Sequence, residues 1–164
     1  MSHLHILIDV QGYQSESKFR GVGRSTYEMS RAIIKNAGQH RVSILMNGMY
    51  SIDSINEIKK SWGDILPQEE MFIFSAAGPT ALRDCENHPR SVAATLAREL
   101  AIANINPDVV FIINFYEGFD DSYTVSIPQT TVPWKTVCVC HDLIPLLNKE
   151  SYLGEPNFRQ YYYD

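Results

Sequence analysis

The sequence predicts an open, doubly wound α/β domain built on a parallel sheet. Short apolar runs alternate with segments whose apolar residues recur at three- and four-residue steps, so strands and helices alternate along the chain. The strand runs are continuously apolar instead of apolar at every second residue, as strands covered on both faces are. The chain has 164 residues, 45% hydrophobic and 20% charged. That is enough for one buried core and ordinary for a globular protein.

Leu4–Val10 is the first strand, followed by a polar loop from Gln11 to about Gly23. Ser25–Asn36 reads as a helix with Met29 and Ile33 on one face and Ile34 beside them; Ser25 or Thr26 stands where a cap is wanted, and Gly38 follows the end. Arg41–Met46 is the second strand, closed by Asn47 and Gly48. Asp53–Trp62 reads as helical, because Ile52, Ile55, Ile58 and Trp62 recur at helical steps. Met71–Ser75 is the third strand, and the stretch from Gly78 to Pro89 has no clear period. Ser91–Asn104 is the clearest helix, with Val92, Leu96, Leu100 and Ala103 on one side. Val109–Asn114 is the fourth strand, a long loop runs from Phe115 to Trp134, Lys135–Cys140 is the fifth strand, and a helix starts near Pro156. In such sheets ligands bind beyond the carboxyl ends of the strands. Those ends lie in segments 11–24, 47–50, 75–80, 114–121 and 141–145.

Composition excludes several functions. The net charge is −5, whereas a general nucleic-acid binder carries a basic excess. Residues 83–164 hold 6 basic and 11 acidic groups, and the locally basic stretch is Lys18, Arg20, Arg24 and Arg31. The densest apolar run, Val109 to Ile113, is far below the roughly 18–20 residues of a bilayer crossing. The N-terminus lacks a basic region, and Asp9 interrupts its apolar stretch, against a signal peptide. Cys85, Cys138 and Cys140 read as reduced, buried thiols of a cytoplasmic protein.

Arg20-Gly21-Val22-Gly23-Arg24-Ser25-Thr26 lies between the first strand and the first helix. It fails as a dinucleotide fingerprint, since Thr26 takes the third glycine position and Asn47 stands where the ribose-binding acid belongs. It fails as a phosphate loop, because no Gly-Lys-Ser/Thr follows. Two readings stay open. Glycines at a helix start let backbone N–H groups approach an anion, with Arg20 and Arg24 adding forked cationic donors; alternatively the segment is a flexible turn with solvated arginines.

Residues 14–24, Gln-Ser-Glu-Ser-Lys-Phe-Arg-Gly-Val-Gly-Arg, resemble the first loop of family 4 glycosyltransferases. They are closest to enzymes of bacterial surface polysaccharide assembly, O-antigen mannosyltransferases among them. Cys138-Val139-Cys140-His141-Asp142-Leu143-Ile144-Pro145 is similar to that family's His-Asp-Leu-Ile-Pro segment. The resemblance implies a two-domain GT-B architecture, of which this chain is the Rossmann-like, acceptor-side N-terminal half. It implies donor-phosphate contacts at Arg20, Gly21, Gly23 and Arg24, and catalytic roles for His141 and Asp142. It further implies retaining transfer of a hexose, mannose from GDP-mannose, onto a lipid-linked glycan in O-antigen synthesis. No cofactor or metal is expected, the nucleotide sugar being a substrate. The expected location is cytoplasmic, at the inner face of the bacterial inner membrane, with peripheral membrane association. The family's nucleotide-binding second domain, with its E-x7-E glutamates, is absent, so the chain reads as a fragment or a natural truncation that is inactive alone.

The residues themselves support the location. A histidine leaving a strand at its carboxyl end can donate to a sugar hydroxyl or stabilise developing charge, or simply bond to backbone. Cys138 and Cys140 share a strand face from which position 141 points away, and no second Cys/His pair has zinc spacing. Asn114, Tyr116 and Glu117 suit an acceptor sugar: a ring stacks on C–H faces while amide and carboxylate bond hydroxyls. Glu117 is a general base or a solvated loop carboxylate. Tyr161, Tyr162 and Tyr163 form an aromatic platform or the packed face of a helix; with Phe158 they are expected to be exposed and to promote self-association. The alternative to a transferase half is a non-catalytic α/β ligand-binding or regulatory module of the same ancestry.

Overall fold

The computed structural model describes residues 3–128, 130–141 and 143–163. Five parallel strands, β1 (His5–Asp9), β2 (Arg41–Asn47), β3 (Met71–Phe74), β4 (Val109–Ile112) and β5 (Lys135–Cys138), form one sheet in the order β3-β2-β1-β4-β5. The expected parallel α/β architecture is therefore present. The helices are α1 (Gly21–Lys35), α2 (Ile52–Trp62), α3 (His88–Ile105), α4 (Ile144–Leu147), α5 (Lys149–Tyr152) and α6 (Pro156–Tyr163).

Both faces of the central strands β2, β1 and β4 are largely buried, and the period of two sorts the strand residues between them. Ile8, Ile44 and Met46 pack with Ile55, Ile58 and Trp62 of α2. Leu7, Leu45, Val110 and Ile112 point the other way, toward Ile102 of α3 and Trp134. Asp9 follows Leu7 by two residues, so it falls on the α3 side. There its carboxylate Oδ2 accepts from Arg98 Nη2 at 2.8 Å and Nε at 3.1 Å.

This pair explains the main departure from the sequence reading. Val92, Leu96 and Leu100 were the apolar side of α3, yet Leu96 is 62% and Leu100 63% exposed. The face turned to the sheet is Ala94, Arg98 and Ile102. An unpaired carboxylate beneath the sheet costs more than three solvated aliphatics, so the ion pair sets the helix's rotation. Periodicity treats an arginine as an outward residue and so misses this.

Other boundaries shift for local reasons. Helix α1 starts at Gly21, not Ser25, with Arg20 at the N-cap position and Arg24 N–H donating to the Arg20 carbonyl at 3.1 Å. Ser25 and Thr26 do not cap it; both hydroxyls donate back to the Val22 carbonyl at 2.9 Å. Helix α3 begins at His88, with Pro89 accepted in its first turn. Ile52 opens α2 in solvent, and only Ile55, Ile58 and Trp62 of its stripe are buried. Strand β5 is a largely exposed edge strand rather than a buried one. Cys85, Cys138 and Cys140 are all exposed, which corrects the expectation of buried thiols. The C-terminal rings mostly fold back: Tyr162 is buried and stacks on Tyr116 at 4.8 Å, while Phe158 and Tyr161 pack on Phe119. Only Tyr163 of the four is exposed, so the expected exposed aromatic end is not formed.

Candidate functional site

The chain leaves β1 for α1 on one face of the sheet and leaves β3 for α3 on the other. The reversal sits between β1 and β4, where an open parallel sheet forms its binding crevice. A cavity of about 440 Å³ opens there, lined by Gly21, Ser25, Asn114, Glu117, His141 and their neighbours. Tyr116 also lines it, together with Tyr162, Phe158 and Pro145.

Asn114 joins three elements. Its Nδ2 donates to Thr26 Oγ1 of α1 at 2.6 Å. Its Oδ1 faces His141 Nε2 at 3.0 Å, on the segment after β5. The same Nε2 lies 2.8 Å from the Ile113 carbonyl. A carbonyl can only accept, so Nε2 carries the hydrogen, and the neutral ring has its lone pair on Nδ1. His141 thus makes the backbone bond that one reading expected, and it also stands exposed at the cavity wall. Nδ1 can accept from a hydroxyl, or donate once the ring is protonated.

Beneath the site lies a buried polar network. Gln11 Nε2 donates to both oxygens of Asp9 (2.8 and 3.0 Å) and to the Thr124 carbonyl at 2.8 Å. Gln11 Oε1 accepts from Asn47 Nδ2 at 2.8 Å and from the Thr124 N–H at 3.0 Å. Gln14 bonds both backbone groups of Asn47, at 2.7 and 3.0 Å. These side chains satisfy strand-end backbone groups and hold the loop after β4 against β1. Gln11 and Arg98 were not singled out from the sequence; Asp9 and Thr26 drew notice there for other reasons, and Gln14 only as the first residue of the loop motif. Gly12 was not singled out either, although a lone glycine three residues past the strand is a signal: a Cβ there would strike Thr26 Oγ1 and the Asn114 amide.

The two loop glycines separate. Gly21 is exposed at the cavity, and a Cβ on it meets nothing within 4 Å. Gly23 is buried, and a Cβ there would run into the Lys18 backbone. Gly23→Ala should therefore destabilise by about 1–3 kcal/mol, whereas Gly21→Ala should leave the melting temperature nearly unchanged. Thermal melts of both variants check this; equal losses would contradict it. Arg20 and Arg24 are exposed and do not line the cavity. Lys18 pairs with Glu57 and Arg31 with Asp64, each at 2.7 Å. Asp142 lies outside the described residues. Among those described, no group of three His, Cys, Asp or Glu could hold a metal, and no helix is long and apolar enough to cross a membrane.

Glu117 is half-buried, with Asp120 and Asp121 near it. Burial first, and then those two charges, push its carboxyl from the ordinary 4.5 up to about 7, with Arg20 opposing. The folded state then holds the proton more tightly than the unfolded chain. Stability should fall as pH rises from about 4.5 to 7, with the loss complete above that window. Glu117→Gln should raise the melting temperature at about pH 8 and change it little near pH 4. The same shift at both pH values would show that ionisation is not the cause.

No protein-family model matches the chain. Among curated proteins, it is 71% identical over 159 residues to serotype-specific mannosyltransferase WbdA of Escherichia coli, covering 97% of this chain and 19% of that protein. A second protein of the same description and organism is 69% identical over 134 residues, covering 82% of this chain and 16% of the relative. A third is 68% identical over the same coverage. The chain spans less than a fifth of the length of these relatives.

Proposed function

From a chain homologous to one segment of the serotype-specific mannosyltransferases, we propose that it forms the acceptor-side half of a sugar-transfer site in a longer enzyme. That enzyme moves a hexose, mannose from GDP-mannose, from the nucleotide sugar to a lipid-linked glycan, with retention of configuration, in O-antigen synthesis. The observation that carries this reading is the convergence of Gly21, Asn114, Tyr116, Glu117 and His141 on one cavity at the sheet's switch point.

In this reading Gly21, at the exposed start of α1, presents backbone N–H groups and the positive helix end to the donor diphosphate. Arg20 and Arg24 approach from outside the cavity and supply long-range positive charge. His141, locked by Ile113 and Asn114, offers Nδ1 to the sugar. Asn114 is spent on orienting His141 and Thr26, so it acts by positioning more than by contacting the acceptor. Tyr116 supplies a ring face, and Glu117 accepts from an acceptor hydroxyl when ionised. Asp142 is assigned to the same site by the family resemblance alone. A second domain supplies the nucleotide base contacts, and the whole works at the inner membrane surface where its lipid-linked acceptor resides.

A donor screen with the full-length protein and a synthetic or undecaprenyl-linked acceptor tests the reading. Transfer of mannose with retained anomeric configuration is expected. No transfer from any nucleotide sugar would refute it.

A further inference from the structure

Thr26 and Asn114 are 0% and 2% exposed, and they lie in a hydrogen-bond chain whose direction is fixed from its far end. That end is the Val22 carbonyl in the first turn of α1, which can only accept. Thr26 Oγ1 spends its one hydrogen there, at 2.9 Å. Toward Asn114, 2.6 Å away, the hydroxyl has only lone pairs to offer, so the amide presents Nδ2 to it. Oδ1 is thereby turned to His141, 3.0 Å from Nε2, as a second acceptor beside the Ile113 carbonyl. A reversed amide would set N–H against N–H at the ring. Gly12 packs over the middle of the chain, where a Cβ would overlap both Thr26 Oγ1 and Asn114 Nδ2.

We propose that Thr26 is a positioning residue for the transfer: it sets the Asn114 amide, and through it holds His141 with the Nδ1 lone pair toward the sugar. The inference rests on the transfer reading above. Thr26 does not line the cavity, so it acts only through the two side chains after it. Valine has the shape of threonine without the oxygen. In Thr26→Val the Asn114 Nδ2 faces the helix unpaired, and a buried donor without a partner is costly. The amide then turns, its N–H meets Nε2–H, and the ring takes the Nδ1–H tautomer. It would then offer the sugar a hydrogen where it had offered a lone pair.

Steady-state kinetics of the full-length protein test this, together with nitrogen NMR spectra of its histidine rings under mildly alkaline conditions. The His141 signals are assigned by their loss in His141→Ala. The wild-type ring is expected in the Nε2–H tautomer. Thr26→Val should populate the Nδ1–H tautomer and lower kcat about tenfold, the low end of what orienting partners of metal-bound histidines are worth, with donor KM nearly unchanged. Thr26→Ser restores the oxygen and should return both readouts toward wild type. In a His141→Ala background Thr26→Val should lower kcat no further, because its effect runs through the ring; a merely structural loss would persist there. Thr26→Ala serves if Thr26→Val does not fold. A wild-type ring in the Nδ1–H tautomer, a Thr26→Val spectrum equal to wild type, or a kcat loss that adds to that of His141→Ala overturns the proposal. If no protein shows transfer, the transfer reading fails and the spectra alone decide whether Thr26 holds the ring.

Discussion

Arg98→Ala is expected to destabilise the protein by about 3–5 kcal/mol, because it leaves a buried carboxylate without its cation. Asp9 is 0% and Arg98 1% exposed, so water replaces nothing that is lost. The contact of two guanidinium donors with Asp9 Oδ2 is only part of the cost. Asp9 also fixes Gln11, and Gln11 holds Asn47 and Thr124 in turn. The damage should therefore spread to the loop ahead of the cavity. The double variant Asp9→Leu with Arg98→Met removes both charges and should be less destabilised than Arg98→Ala. Urea unfolding of the three proteins checks this. If Arg98→Ala loses less than about 1 kcal/mol, the pair does not set the packing of α3.

His141→Ala in the full-length enzyme is expected to lower kcat by roughly 10²–10³, the usual cost of removing one preorganised polar group beside developing charge. Donor KM should change little, since the proposed role puts the ring beside the transferred sugar and not beside the nucleotide. Stability should fall by only about 0.5–1.5 kcal/mol, for one exchanged hydrogen bond. Steady-state kinetics and thermal melts separate the two effects. A variant with normal kcat and a lower melting temperature would make His141 purely a strut for the β4 end. Asn114→Ala should move kcat in the same direction, because it frees the imidazole to turn.

The sheet was legible because its strands are apolar on both faces, and Leu7 and Ile8 mark the alternation even within a continuous run. Asn114 past β4 and His141 past β5 stand out in sequence as polar residues at strand ends, and both line the cavity. The polar network was not legible, because Gln11, Gln14 and Asn47 look like loop residues until the fold brings them together. Helix α3 was misread for the same reason: Arg98 faces inward only because Asp9 is there. Gly21 and Gly23 look equivalent in sequence. One borders open space and the other supports a backbone crossing, a distinction that depends on where Lys18 runs. Strand β5 ends in Val137 and Cys138, and its position at the sheet edge leaves both exposed.

The central claim is that sugar transfer takes place at the cavity beyond β1, β4 and β5. Photo-crosslinking the full-length enzyme with a GDP-mannose analogue carrying a diazirine on the sugar tests it most directly. Adducts, competed by excess GDP-mannose, are predicted within residues 21–25, 114–117 and 139–145 among those of this chain. Competable adducts on this chain confined to segments away from that cavity would contradict the account.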